Sequence, residues 1–192
     1  MVRTISDWLR HLSTGWLALL ALLVFVLFSV LVLPQQAAKA EQETGGSDSP
    51  DTSFFYTPSD LYQMAESYGE EGRQAYVRAR FTFDLIWPLV YAFFLTTAIG
   101  WTFGRAFSSN SRWQMANLAP LLGTIFDYLE NLSTSLVMIR YPNQTAAIDV
   151  LAPVFTALKW GWLGASFLLL LSGLIVMVWR RARKDTTGTE SG

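Results

Sequence analysis

The chain has 192 residues, of which 52% are hydrophobic and 15% are charged, and its net charge at neutral pH is −1. A soluble domain of ordinary composition has about 25% charged residues, so this composition indicates a membrane protein. The small net charge argues against nucleic acid as a partner, and the absence of cysteine excludes disulfides and thiolate sites.

Four apolar stretches account for the low content of charge. Each meets or approaches the roughly 20 residues that a helix needs to cross a bilayer. The third is the least apolar, because it contains Asp127, Glu130 and Asn131. The sequence therefore predicts an all-α protein, a four-helix transmembrane bundle with spans at 15–33, 81–104, 115–138 and 151–179.

The basic residues predict an orientation, because loops rich in lysine and arginine stay in the cytoplasm. Eight of the 14 lysine and arginine residues occur before the first span, between the second and third, and in the run "WRRARK" after the fourth. Five others fall on the opposite side, where the segment 34–80 is otherwise strongly acidic: Lys39, Arg73, Arg78, Arg80 and Arg140. We therefore expect a multi-pass protein of the cell membrane with both termini inside. Its cytoplasmic segments would be 1–14, 105–114 and 180–192, and its extracytoplasmic segments 34–80 and 139–150.

A rival interpretation makes the first span a cleaved signal peptide. The letters "AAKA" before Glu41 resemble a small-residue cleavage site. The apolar core is long for such a peptide, which favours a retained span. Cleavage would leave three spans.

The extracytoplasmic segment 34–80 divides into three parts. Residues 35–53 are small, polar and acidic, which predicts a flexible tether. A short helix is expected at 58–68, since Thr57 suits the N-cap and Pro58 the first helical position. Residues 70–80 are expected to extend the second span outward as a continuous helix.

Ionisable residues recur at helical spacing in three of the spans. Tyr76, Arg80, Asp84 and Tyr91 step by four or seven residues and share one face of the second helix. By the same rule, Asp127, Glu130 and Asn131 share a face of the third helix. Lys159, in the fourth helix, lies at about the depth of Glu130 when each residue rises about 1.5 Å.

Such groups are tolerated in a membrane when they face the bundle interior and pair. The sequence therefore predicts a polar pocket in the outer half of the bundle, open to the outside. Arg80 is expected to pair with Asp84, and Lys159 with Glu130 or Asp127. Two cations and three carboxylates leave one carboxylate unpaired, so it is either protonated or balanced by a cationic group.

A longer pattern accompanies these residues, "GEEGRQAY…FDLIWPLVY…FDYLENL…LKW" between residues 69 and 160. It resembles that of uncharacterised bacterial membrane proteins with four spans. The resemblance implies the four-span architecture and no particular activity.

Four functions are compatible with this pocket. The first is a binding protein for a small amphiphile, a lipid head group or a membrane partner, including a second copy of the chain. The second is a membrane enzyme with Asp127 or Glu130 as general acid or base and Lys159 or Arg80 stabilising an anion. The third is a subunit of a proton-linked transporter, and the fourth a purely structural set of ion pairs. The binding function is ranked first, with a predicted ligand site formed by Tyr76, Arg80, Asp84, Tyr91, Asp127, Glu130, Asn131 and Lys159.

No metal or cofactor is expected. The single histidine, His11, lies in the N-terminal segment. Asp84, Asp127 and Glu130 could offer the oxygen ligands that Mg²⁺ or Ca²⁺ prefers. The nearby positive charges of Lys159 and Arg80 favour an organic ligand instead.

Overall fold

The computed structural model describes residues 1–188, with side chains up to Arg183. Within this range the regular structure is entirely helical, which confirms the all-α prediction. The α-helices are α1 (Val2–Leu12), α2 (Gly15–Leu27), α3 (Leu33–Thr44), α4 (Pro58–Ser67), α5 (Gly69–Arg80), α6 (Phe83–Ala106), α7 (Ala119–Arg140) and α8 (Ile148–Gly188). A π-helical turn, Phe28–Val32, joins α2 to α3, and a 3₁₀ helix, Arg112–Leu118, precedes α7.

Three helical segments of the described chain are long and apolar enough to cross a membrane. They are Gly15–Thr44, Gly69–Ala106 and Ile148–Arg183. The first and third bury little of their apolar surface against the rest of the protein, whereas the second is mostly buried. The chain is thus organised around α6, which packs against α2, α7 and α8.

The tether predicted at residues 35–53 is wrong in its first half, because Leu33–Thr44 continues the first apolar segment as α3. Its alanine, glutamine and glutamate residues are strong helix formers, and they extend a helix that α2 has already nucleated. The helix ends at Gly45, whose φ of 67° gives the left-handed conformation common after a helix C-terminus.

The short outer helix begins and ends close to the predicted residues. Thr57 accepts a hydrogen bond from the Asp60 backbone N–H, and the Asp60 carboxylate accepts one from the Thr57 backbone N–H. This reciprocal capping box satisfies two helix N–H groups that would otherwise lack partners. Leu61 and Ala65 then pack α4 against the outer ends of α7 and α8.

The helix predicted to run without a break from residue 70 into the second span is interrupted at the start of that span. A turn at Phe81 and Thr82 separates α5 from α6. The Thr82 hydroxyl donates to the Arg78 carbonyl oxygen at 2.7 Å, a side-chain contact that competes with regular helix bonding.

The last helix extends beyond its predicted end. The last span was predicted to end at residue 179 and to be followed by a cytoplasmic tail at 180–192, but α8 continues to Gly188. Residues 189–192 of that tail lie outside the described residues. The remaining predicted span, 115–138, corresponds to the end of the 3₁₀ helix together with α7.

Two apolar clusters lie at different depths along the same helices. The inner cluster centres on α6 and includes Tyr91, Leu95, Ile99 and Phe103. The outer cluster joins α4, α5, α7 and α8. On α5–α6, α7 and α8 alike, the ionisable residues lie between these two clusters along the chain, so they form a polar layer between apolar layers.

Candidate functional site

Arg80, the last residue of α5, is one of two cations in the polar layer. Its Nε lies 2.8 Å from Oδ2 of Asp84, one turn along the chain, and its Nη1 lies 3.2 Å from Asp51 Oδ1. The guanidinium also lies over the Tyr76 ring, 4.6 Å from its centroid, and donates to Asn131 Oδ1 at 3.5 Å. Arg80 therefore links the second apolar segment to α7 and to the loop at 45–57 between α3 and α4, termed the outer loop.

Lys159, on α8, is the second cation. Its Nζ lies 2.5 Å from Glu130 Oε2 and 2.9 Å from Asp51 Oδ1. Of the two partners predicted for Lys159, the structure thus selects Glu130. The other oxygen of Glu130 accepts a hydrogen bond from the Thr156 hydroxyl at 2.8 Å, so α7 and α8 are joined by both an ion pair and a hydrogen bond.

Asp51, which was not among the predicted site residues, connects the two cations. Its Oδ1 contacts both Arg80 and Lys159, and its side chain is 32% exposed. Burial raises the pKa of this carboxyl, but Lys159 and Arg80 together outweigh burial and hold the pKa well below its usual range. Asp51 therefore stays ionised and fixes the outer loop over the polar layer.

No periodic pattern marks Asp51, because it lies in a loop whose composition is that of a solvated tether. The nearest local signal is the aromatic run Phe54–Phe55–Tyr56 that follows it. Phe54 packs against Trp160 of α8 with ring centroids 4.9 Å apart, and Tyr56 is buried beside Thr156. These contacts hold the loop on α8.

The tyrosines at the outer rim also lie in apolar surroundings. Burial raises the pKa of Tyr56 above its usual range and that of Tyr68 to about 12. The Tyr68 hydroxyl donates to the Asp48 carbonyl oxygen at 2.7 Å. Both rings therefore act as neutral hydrogen-bonding groups at neutral pH.

Asp127 occupies the inner edge of the polar layer. It accepts hydrogen bonds from the Tyr91 hydroxyl at 2.9 Å and from Asn131 Nδ2 at 3.3 Å. Tyr76, at the opposite edge, donates to the Thr134 hydroxyl at 3.1 Å. All eight residues of the predicted ligand site thus belong to one connected set of contacts.

Three carboxylates of the layer face one another, since oxygens of Asp51, Asp127 and Glu130 lie within 4.8 Å. This is the kind of ligand set that Mg²⁺ or Ca²⁺ takes. The Lys159 ammonium already contacts Asp51 and Glu130, which favours an ion-pair centre over a metal centre. Within the described residues the layer holds four carboxylates and two cations, so Asp51 enlarges the excess of negative charge that the sequence predicted.

A cavity of about 400 Å³ adjoins this layer. It lies between α3, α5 and the loop 46–52, and its inner end is formed by Asp51, Tyr76, Arg80 and Asp84. Leu33, Phe83 and several alanines of α3 and α5 form the apolar part of its wall.

The cavity differs from the predicted pocket in its position. Asp127, Glu130, Asn131 and Lys159 do not belong to its lining; they are buried behind Asp51 and Arg80. The physical reason is the double ion pair of Asp51, which closes the space between the loop and the buried part of the layer.

Comparison with other proteins adds no functional information. No protein-family model matches the sequence, and neither a curated protein nor a solved structure is significantly similar to the chain. The function must therefore be argued from the site itself.

Proposed function

We propose that this membrane protein binds a small amphiphile with a cationic head group in the cavity beside Asp51, Arg80 and Asp84. The observation that carries the proposal is the composition of the cavity, which combines an apolar wall with a charged inner end. Its volume of about 400 Å³ falls in the range of about 300–1,000 Å³ found for small-molecule sites.

The charge of the lining supports a positive head group. Five carboxylate residues line the cavity, as against one guanidinium, that of Arg80: Glu41, Glu43, Asp48, Asp51 and Asp84. The polar layer behind it has a further excess of carboxylates. A cation entering the cavity would balance charge that Arg80 and Lys159 leave uncompensated.

The proposal includes a four-span bundle in which α7 also crosses the membrane. With 22 residues, α7 is about 33 Å long, which matches the hydrocarbon thickness of a bilayer. Its polar residues Asp127, Glu130 and Asn131 are buried, whereas its exposed residues include Leu122, Ile125, Leu132 and Ile139. A helix with charges inward and aliphatic side chains outward suits lipid despite its modest hydropathy.

Arginines support the N-in, C-in orientation in the cell membrane. Arg3 and Arg10 precede α2, and Arg105 and Arg112 lie near the turn between α6 and α7. Arg180, Arg181 and Arg183 lie in the last turns of α8. The acidic loop and the cavity then face outward. The alternatives for the same layer are proton-linked transport and acid–base catalysis by Asp127 or Glu130, with Lys159 stabilising an anion.

Single cysteines test this topology without background, because the chain has none. Ser109→Cys and Asn143→Cys flank α7 on exposed turns. We expect an impermeant maleimide to label Asn143→Cys, and not Ser109→Cys, on intact cells. Labelling of both from the same side would show that α7 does not cross.

The binding proposal is tested with two probes that have the same alkyl chain and opposite charge. Protein in lipid nanodiscs is titrated with decyltrimethylammonium and with decyl sulfate, and bound probe is counted by native mass spectrometry. We expect the ammonium probe to bind at least about tenfold more tightly than the sulfate probe. This ratio corresponds to a difference of roughly 1.4 kcal/mol in binding free energy, which charge complementarity would supply. Equal binding, or tighter binding of the sulfate, would contradict the cationic assignment.

A cavity-filling variant separates binding in the cavity from adsorption to the surface. Ala79→Leu places a larger side chain in the cavity wall and changes no charge. Ala38→Leu is the matched control, because Ala38 is exposed and lies outside the lining. We expect Ala79→Leu to abolish probe binding and Ala38→Leu to leave it unchanged. Unaltered binding in a folded Ala79→Leu protein would show that the probe does not occupy the cavity, which would contradict the proposal.

A further inference from the structure

The end of the bundle opposite the cavity combines an amphipathic helix with a concentration of arginine and tryptophan. Helix α1 has three faces, each defined by residues three or four apart. Ser6, Arg10 and the following Ser13 form one face, Thr4, Asp7 and His11 the second, and Ile5, Trp8 and Leu12 the third.

The first face docks α1 on the protein. The Ser6 hydroxyl lies 2.8 Å from Asn117 Oδ1, and Asn117 Nδ2 donates to the Ser6 carbonyl oxygen at 3.0 Å. Just after the end of the helix, Ser13 lies close to Gly100 of α6. A Cβ added at Gly100 would be 2.5 Å from Ser13 Oγ. These contacts fix the rotation of α1 about its axis.

With that rotation fixed, the apolar face of α1 points away from the protein. Ile5, Trp8 and Leu12 are all exposed, Trp8 to 62%. A hydrophobic face directed outward would be unfavourable in water. It is favourable for a helix that lies in the membrane interface with its apolar face among the acyl chains.

The position of α1 supports this arrangement. Two residues separate the end of α1 from the first apolar segment. The second of them, Thr14, caps the N-terminus of α2 by accepting a hydrogen bond from the Leu17 backbone N–H. Trp16, Trp113 and Trp179 are also exposed, and tryptophan is enriched at the level of lipid head groups.

The charge at this end is strongly positive. Arg105, Arg112, Arg180 and Arg181 are exposed. Arg3 of α1 donates to the Asn110 carbonyl oxygen at 3.2 Å, which ties α1 to the same turn. Asp7 is the carboxylate on α1, and it pairs with Arg10 at 3.2 Å.

We propose that α1 and the arginines around it form a binding surface for anionic phospholipids, with Ile5, Trp8 and Leu12 inserted into the leaflet and the arginines on the phosphate groups. Clustered basic residues next to a span attract anionic lipids, and the outward apolar face supplies the insertion. The surface is separate from the cavity and does not depend on what the cavity binds.

Insertion is measured with single cysteines labelled by nitrobenzoxadiazole, whose emission shifts to the blue in apolar surroundings. The protein is reconstituted in vesicles of equal parts phosphatidylcholine and phosphatidylglycerol. We expect labels at Ile5→Cys and Leu12→Cys to be blue-shifted and protected from aqueous iodide. Labels at the neighbouring Thr4→Cys and His11→Cys are the matched controls and should be quenched. Equal quenching at all four positions would overturn the insertion of α1.

Selectivity is measured on the full chain in detergent by counting bound phosphatidylglycerol and phosphatidylcholine in native mass spectra. We expect phosphatidylglycerol to be preferred, and Arg105→Gln combined with Arg112→Gln to weaken that preference by about fivefold for each arginine removed. Arg78→Gln, an exposed arginine near the opposite end, should leave it unchanged. Equal binding of the two lipids to the unaltered chain would overturn the proposal.

Discussion

The same helices are held together by different interactions in two regions. The outer half contains the polar layer, and the inner half contains the apolar cluster around α6. In the outer half, Asp51, Arg80, Glu130 and Lys159 form a set of directional ion pairs. In the inner half, α6 is packed through aliphatic and aromatic side chains around Leu95 and Ile99. Apolar packing stabilises in proportion to the area buried and tolerates small shifts. Buried ion pairs tolerate no missing partner.

Removing a cation from the outer half should have the largest effect on stability. Lys159→Ala leaves Asp51 and Glu130 without their shared partner, and we expect it to lower the free energy of unfolding by about 3–5 kcal/mol. Leu158→Ala, on the exposed side of the same turn, is the control and should cost far less. Denaturant unfolding in detergent measures both.

A second substitution tests which pair is responsible. Combining Lys159→Ala with Glu130→Gln should recover part of the loss, because the buried carboxylate is then neutral. Asp127→Asn should recover less, because Asp127 is held by Tyr91 and Asn131. Strictly additive losses in both combinations would contradict the pairing of Lys159 with Glu130.

The next largest effect concerns pH and the outer loop. Because the folded pKa of Asp51 is below its ordinary value of 3.8, the unfolded chain binds its proton first as the pH falls. The stabilisation by Asp51 is therefore complete at neutral pH and is lost as the pH falls through 3.8 and below. Asp51→Asn should cost about 1.5–3 kcal/mol at neutral pH.

The pH dependence itself is the readout for this residue. The difference in unfolding free energy between the natural chain and Asp51→Asn should shrink as the pH falls below about 4. Other carboxylates titrate in both proteins and cancel in the difference. A difference that is constant from pH 7 to pH 3 would show that Asp51 does not act through its charge.

The smallest expected effect is that of overpacking the inner half at Gly173. A Cβ at Gly173 would lie 2.6 Å from Phe103 Cε2 and 2.9 Å from Thr102 Oγ1. Gly173→Ala should therefore cost about 1–2 kcal/mol, since overpacking outweighs the gain in helix propensity. Gly164→Ala meets no atom within 4 Å and should be neutral or stabilising. Equal effects in thermal unfolding would show that α6 and α8 are not closely packed there.

Features of this protein that depend on local spacing could be predicted from the sequence. The all-α class followed from the length of the apolar stretches. The shared faces of Arg80 with Asp84 and of Asp127 with Glu130 followed from the helical repeat. The cap at Thr57 followed from residue type, because a capping box needs only neighbours along the chain. Each of these inferences involves residues a few positions apart.

Contacts between groups that are distant in the sequence could not be predicted, because they depend on the tertiary structure. Asp51 lies 108 residues from Lys159 in the chain, in a loop with no periodicity, so neither its ion pairs nor the resulting place of the cavity could be read from spacing. The helix at Leu33–Thr44 was missed for a related reason, because its polar composition suits a solvated tether as well as the continuation of a span. The partner of a buried charge is set by the packing of helices, and a linear pattern does not contain that packing.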